Sequence, residues 1–159
     1  MANPTSDLEA LYRRRHAVFV RTLAGVLGDI EAAADAVQEG FARALTRIDQ
    51  FRGEGSLEGW VWQICLNQAR KAKRVTSTLA LEQADAVVIP PLEFDPDLHD
   101  AVRMLPPKRR LVVFLRYFAD LSYDEIAYVT GMRLGTVGAT LNKAHEELAT
   151  QLTLQEFHS

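Results

Sequence analysis

The sequence contains very little cysteine and no long apolar run. Cys65 is the one cysteine in 159 residues, which excludes an internal disulfide framework and a cysteine-built zinc site. The longest strongly apolar runs, such as residues 111–115, are far shorter than the ~20 residues that a membrane-spanning helix needs. Residues 1–7 lack the basic and apolar parts of a signal peptide. We therefore expect a cytoplasmic protein.

Signals of enzyme chemistry are also scarce. The four histidines are scattered without a helical i,i+4 pair, and no glycine-rich phosphate-binding motif is present. The sequence therefore predicts a protein that is not an enzyme, with no catalytic residues, metal or cofactor. The formal net charge of −3 gives no bulk indication of a nucleic-acid partner.

The charges are segregated along the chain. Residues 12–74 hold 11 Lys/Arg against 7 Asp/Glu, whereas residues 75–100 hold 6 acids and no Lys or Arg. The acidic stretch also contains Pro90, Pro91 and Pro96 and shows weak periodicity. This pattern predicts an acidic linker at residues 75–96 between two small lobes, residues 1–74 and 97–159.

The first lobe has helical periodicity throughout. Apolar spacing predicts a helix over residues 7–27, stopped by Gly28, and a second helix capped by Asp29. The apolar stripe predicted for the second helix is Ala34, Val37, Phe41, Leu45 and Ile48. A loop at residues 51–56 precedes a third helix, which ends in a basic run at residues 70–74. That run suits either the helix dipole or nucleic-acid phosphates.

The second lobe predicts a helix-turn-helix. Ser122 and Glu125 form a capping-box pattern that starts a short helix, Gly131 suits a left-handed turn, and Val137 lies where two steeply crossing helices meet. No strand alternation is present in the chain, so the predicted fold class is all-α. Only Arg133 and Lys143 are cationic between residues 132 and 150, which predicts weak DNA binding by this lobe.

Three segments resemble bacterial RNA polymerase sigma factors. Residues 35–45 are similar to their polymerase-binding helix, residues 51–67 to their promoter-melting segment, and residues 105–127 to the start of their fourth conserved region. The short two-lobe form resembles the extracytoplasmic function (ECF) group. The resemblance implies a transcription initiation factor built from a sigma region 2 helical bundle and a sigma region 4 helix-turn-helix.

The resemblance also implies roles for individual residues. A docking face on the clamp helices of the beta-prime subunit of core RNA polymerase would consist of Asp35, Gln38, Glu39 and Arg43. Capture of −10 element bases and of the nearby backbone would involve Arg52, Glu54, Ser56, Trp60, Trp62, Asn67, Arg70, Lys71 and Arg74. Reading of the −35 element in promoter DNA would involve Arg133, Thr136, Gly138, Thr140, Asn142 and Lys143. The beta flap and an anti-sigma factor are further expected partners.

Two alternatives stay open at this point. The exposed face on the second helix is also compatible with an ordinary solvated surface, which leaves a stand-alone helix-turn-helix regulator possible. The cation-poor stretch around Gly138 and Asn142, where the family usually has basic residues, also suits a sigma-like interaction protein that titrates a regulator.

Overall fold

A computed structural model of the protein describes residues 3–79 and 96–158, and these ranges contain seven α-helices, one 3-10 helix and no β-strand. The helices of the first lobe are α1 (Pro4–Leu27), α2 (Ile30–Thr46) and α3 (Leu57–Leu79), with the 3-10 turn at Ile48–Gln50. The helices of the second lobe are α4 (Pro96–Arg103), α5 (Pro107–Tyr117), α6 (Tyr123–Thr130) and α7 (Leu134–His158). The predicted all-α fold is confirmed for the described residues.

Local capping signals set the junction between α1 and α2. Gly28 ends α1 in the left-handed conformation, with φ 74°, and the Asp29 carboxylate accepts hydrogen bonds from two backbone N–H groups at the start of α2. Both features are as predicted. The first helix begins at Pro4, earlier than expected, because the Asn3 side chain caps it and proline suits the first helical turn.

The third helix is longer than predicted. The Ser56 hydroxyl accepts a hydrogen bond from the Gly59 N–H at 3.0 Å, so Ser56 caps α3. The helix then continues through Leu79, so residues 75–79 of the predicted linker are helical. At the other end of that segment, Pro96 is the first residue of α4. The rest of the predicted linker, residues 80–95, lies outside the described residues.

The second lobe contains the predicted helix-turn-helix, formed by α6 and α7. The Ser122 hydroxyl accepts from the Glu125 N–H, and the Glu125 carboxylate accepts from the Ser122 N–H, both at 3.1 Å. Gly131 ends α6 with φ 79°. Val137 is fully buried near the start of α7, which confirms its place at the crossing of the two helices.

The buried face of α2 differs from the predicted stripe. Val37 and Phe41 are buried as expected, but Leu45 is 51% exposed. The inward face instead includes Gly40, where a Cβ atom would lie 2.9 Å from the Cα atom of Cys65 on α3. Glycine at this position therefore allows α2 and α3 to approach closely.

The two lobes pack directly against each other. Helix α5 lies on α1, and α6 lies on α3. The Phe114 ring of α5 sits on Gly25 of α1, where a Cβ atom would overlap the ring. Buried apolar residues from both lobes form one continuous cluster. Two lobes that the sequence predicts to be separated by a linker therefore share a core, and we call this arrangement closed.

Candidate functional site

The predicted docking face lies on the exposed side of α2. Asp35, Gln38 and Glu39 are exposed, and Arg43 forms a surface ion pair with Glu39 at 3.1 Å. An exposed i,i+4 pair of this kind contributes only about 0.3–0.5 kcal/mol, so the fold does not depend on these four side chains. They are available to a partner.

An apolar groove continues this face, and it includes Phe41 and Leu45 of the stripe that was predicted to be buried. Tyr12 is 41% exposed and Leu45 is 51% exposed. Together with Phe41 and Gln38 they line a groove of about 410 Å³ between α1 and α2. Gln38, Ala42 and Leu45 are spaced so that they lie on one side of α2. This spacing was the feature of the sequence from which the groove could have been predicted.

The loop before α3 is exposed and shaped by glycine. Arg52, Glu54 and Ser56 are all exposed. Gly53 and Gly55 both have φ 78°, and a Cβ atom at either would meet nothing within 4 Å. The glycines are therefore required by the backbone conformation and not by crowding. The loop presents its polar side chains to solvent, as the −10 prediction requires.

The two tryptophans have different environments. Trp60 is half-buried, with its ring centroid 5.4 Å from that of Phe51. Trp62 is fully buried and stacks on Phe19, with ring centroids 3.7 Å apart and an interplanar angle of 9°. The expectation that Trp62 contacts −10 bases is corrected here, because a ring without exposed surface cannot stack on a base. Trp62 belongs to the inward stripe of α3, with Val61 and Cys65.

The basic end of α3 forms a groove together with α2. Asn67, Arg70 and Lys71 are exposed, and they line a groove of about 250 Å³ with Arg43 and Arg47. Four cations and an amide that converge in one concave site suit a phosphate backbone. Arg47 was not among the predicted contacts, although its spacing of four residues from Arg43 was a usable signal. The side chain of Arg74 lies outside the described residues.

The predicted −35 face is only partly exposed. Arg133, Asn142 and Lys143 are exposed, and Thr136 is half-buried. Thr140 is only 8% exposed, and Gly138 is half-buried. The expectation that Thr140 contacts the −35 element is therefore corrected, because its side chain is largely covered where it faces the start of α5.

A second basic residue group surrounds the start of α7. Lys108 of α5 lines a groove of about 490 Å³ with Thr136, Thr140 and Lys143. Its neighbours differ: Arg109 pairs with Glu147 at 2.8 Å, and Arg110 is 4% exposed. Three exposed cations lie on or beside the reading helix α7, and we call them the reading-helix cations: Lys108, Arg133 and Lys143.

Other types of site have little support in the described part of the chain. Among these residues there is no group of three or more His, Cys, Asp or Glu side chains that could hold a metal ion. No helix within residues 3–79 and 96–158 is long and apolar enough to cross a membrane. Burial raises the pKa of the Cys65 thiol to about 12, so the thiol is protonated and unreactive at neutral pH.

Comparison with known proteins shows which family this chain resembles. The family model for Sigma-70 region 2 matches residues 11–77, and that for Sigma-70 region 4 matches residues 96–148. The RNA polymerase sigma-E factor of Streptomyces antibioticus is 30% identical over 94% of this chain and 87% of its own. The ECF RNA polymerase sigma factor SigW of Bacillus subtilis is 30% identical over 80% of this chain and 79% of its own.

Solved structures show the same fold. The sigma factor RpoE of Bartonella quintana, in complex with the anti-sigma factor NepR, superposes with a TM-score of 0.70 at 24% identity, covering 91% of this chain and 98% of that one. CnrH, in complex with the cytosolic domain of CnrY, gives a TM-score of 0.70 at 22% identity, covering 92% of this chain and 88% of that one.

The chain belongs to the sigma-70 family of bacterial RNA polymerase sigma factors, in its ECF group. It is a transcription initiation factor, and this family acts with RNA polymerase on promoter DNA. The comparisons favour neither the stand-alone regulator nor the sigma-like interaction protein.

Proposed function

We propose that the exposed side of α2 docks on the beta-prime clamp helices of core RNA polymerase. Asp35, Gln38 and Glu39 supply the polar contacts, and the groove with Tyr12 and Leu45 supplies an apolar contact. Protein interfaces commonly combine a buried apolar or aromatic centre with a polar rim. The exposure of Leu45, on a helix whose other side is already packed, supports this assignment.

The first lobe also captures the −10 element in this proposal. The loop residues Arg52, Glu54 and Ser56 and the half-buried Trp60 contact flipped bases. The basic groove holds the strand backbone with Asn67, Arg70, Lys71 and, as an addition to the sequence prediction, Arg47. Stacking contributes about 1–3 kcal/mol per captured base. The convergence of four cations and Asn67 in one groove is the observation that carries this proposal.

An open-complex assay tests the −10 proposal. Arg47→Ala and Asn67→Ala should each lower the permanganate reactivity of −10 thymines several-fold, while affinity for core polymerase stays the same. Arg14→Ala is the matched control, because Arg14 is an exposed arginine of the same lobe on α1. Normal permanganate reactivity in both groove variants would show that the backbone is held elsewhere.

The start of α7 reads the −35 element in this proposal, with limited electrostatic support. Thr136, Asn142 and Lys143 face DNA, and Asn142 is suited to adenine. Arg133 and Lys108 contact phosphates. With only three reading-helix cations, promoter selection depends mainly on the −10 element. The second lobe also contacts the beta flap of polymerase.

An anti-sigma factor is the remaining proposed partner. The two solved structures above are complexes with NepR and with the cytosolic domain of CnrY. In this chain an apolar groove of about 310 Å³ lies between the lobes, with Leu66, Leu111 and Met132 in its lining. A partner segment seated there would contact both lobes at once.

A further inference from the structure

The groove of about 490 Å³ beside the reading helix is lined by the first residues of two helices. Pro106 and Lys108 belong to the start of α5, and Gly135 and Thr136 to the start of α7. The N-terminus of a helix is the positive end of its dipole, so two positive ends line one groove. Among the described residues of the lining, three are cations and none is acidic. The groove therefore attracts an anion.

Backbone N–H groups at both helix starts are free to bind a ligand. The first N–H groups of a helix have no partner within that helix. At α5 the N-cap residue is Pro106, and no side-chain hydrogen bond caps the helix. At α7 a Cβ atom added to Gly135 would meet nothing within 4 Å, so a ligand can approach the backbone there. Such N–H groups commonly bind phosphate, but every helix has them, and they do not by themselves identify a ligand.

The Thr140 hydroxyl is an independent indication of a ligand. Thr140 lines this groove and is only 8% exposed, yet its hydroxyl has no hydrogen-bond partner among the described residues. The hydroxyls of Thr130, Thr150 and Thr153 instead donate to the carbonyl four residues earlier. Thr22 also lacks a partner, but it is fully buried in the first lobe. A largely buried donor without a partner is unfavourable, so an acceptor that enters the groove would be stabilised.

Two lysines supply charge to the same groove. The third cation of the lining, Arg109, is paired with Glu147 at 2.8 Å. Lys108 and Lys143 are exposed and have no acidic partner within residues 3–79 and 96–158. Thr140 lies three residues before Lys143, so both side chains are on one side of α7. A charged group in the groove can therefore contact both lysines and the threonine hydroxyl together.

The number of donors and charges indicates the class of anion. A phosphomonoester carries a charge of about −1.5 to −2 and three strong acceptor oxygens, whereas each phosphodiester of DNA carries one negative charge. Two unpaired ammonium groups, a recessed hydroxyl and the N–H groups of two helix starts match the monoester better. We propose that this groove is a binding site for the terminal phosphate of a small phosphomonoester, held by Lys108, Lys143 and Thr140.

Occupation of this site has a consequence for promoter binding. Thr136 and Lys143 line the groove and also belong to the proposed −35 face. A bound phosphomonoester therefore competes with −35 DNA for the start of α7, and its concentration sets how strongly the second lobe contacts the promoter. This competition rests on the proposed −35 function, whereas binding of the phosphate itself does not.

A matched pair of small probes tests the site on the full chain. Methyl phosphate is a monoester and dimethyl phosphate is a diester, and at pH 8 the monoester is above its second pKa of about 6. In nitrogen–proton NMR spectra, methyl phosphate should shift the backbone N–H signals of Lys108 and Gly135 with a dissociation constant on the order of 1 mM. Dimethyl phosphate should bind about tenfold more weakly, because it has less charge and fewer free oxygens.

Two variants with matched controls assign the contacts. Thr140→Val keeps the shape of the side chain and removes the donor, so methyl phosphate should bind about tenfold more weakly. Thr153→Val is its control, because Thr153 is on the same helix and its hydroxyl is already bonded to the Ala149 carbonyl. Lys108→Ala should weaken binding about fivefold, and Arg14→Ala, an exposed arginine of the first lobe, should not.

Competition is measured with duplex DNA that contains the −35 element. Methyl phosphate at about ten times its dissociation constant should lower duplex affinity about tenfold, compared with sodium chloride at the same ionic strength. Thr140→Val should lose most of this competition and keep its duplex affinity in the absence of methyl phosphate.

Each contrary result overturns a stated part of the proposal. Equal binding of the two probes would make the groove a general contact for phosphodiesters and refute a monoester site. Unchanged methyl phosphate binding in Thr140→Val and Lys108→Ala would place the anion elsewhere, and if Thr140→Val loses helical circular dichroism, Lys108→Ala against Arg14→Ala decides. Methyl phosphate that binds without lowering duplex affinity would refute the competition. If methyl phosphate binds as expected but no form binds the duplex, the −35 proposal fails and the phosphate site stands.

Discussion

Replacing Trp62 with alanine should lower the stability of the first lobe. It should not specifically impair promoter opening. The side chain is fully buried and stacks on Phe19 at 3.7 Å. Truncation of a buried Trp or Phe to alanine typically costs about 3–5 kcal/mol. The Trp62 Nε1 atom has no hydrogen-bond partner among the described residues. Because a buried donor without a partner is unfavourable, its removal offsets part of the lost stability.

The expected decrease in the free energy of unfolding is therefore near the low end, about 3 kcal/mol. Domains of this size are stable by only about 5–15 kcal/mol, so the loss is a large share of the total. With an m-value of about 2 kcal/mol per molar urea, the unfolding midpoint should fall by about 1.5 M. Trp62→Phe retains a stacking ring and should lose about 1 kcal/mol.

Urea unfolding followed by circular dichroism measures this change, and permanganate footprinting of −10 thymines measures strand opening in parallel. Trp60→Ala is the comparison variant, because Trp60 is half-buried; it should lose less stability and more strand opening. A Trp62→Ala protein that keeps its stability within about 1 kcal/mol but no longer opens promoters would refute the assignment of Trp62 to the core.

Two further predictions concern the partners. Asp35→Ala combined with Glu39→Lys should raise the dissociation constant for core polymerase about tenfold or more without a change in helicity, since both side chains are exposed; Glu31→Ala on the same helix is the control, and an affinity within twofold of the unmodified protein would exclude this face. The binding constant of the second lobe's DNA-reading surface for duplex DNA should fall with salt. A plot of its logarithm against the logarithm of the salt concentration should have a slope of about −3 if all three reading-helix cations contact phosphate. Lys108→Ala should make that slope shallower by about 0.9, and an unchanged slope would remove Lys108 from the interface.

Several of the helix ends could be predicted from residue types alone. Gly28 and Gly131 adopt the left-handed conformation, and Asp29 and the Ser122–Glu125 pair cap helices, as expected. These features depend on hydrogen bonds between residues that are close in the chain, so each segment carries the information for its own ends. The order of the three sigma-like segments likewise indicated the family, because their motifs are contiguous in the chain.

The availability of side chains to partners depends instead on tertiary packing. Trp62 and Leu45 both lie on helices with predicted apolar faces, yet Trp62 is buried against α1 and Leu45 is 51% exposed. Residues that are distant in the chain meet only through this packing. Arg47 and Arg70 line one groove, and Gly25 contacts Phe114 across the lobes. Periodicity gives the direction in which a side chain points from its own helix, but burial depends on which other helix occupies that direction. The closed arrangement is therefore a property of the assembled helices, because no single segment specifies what packs against it.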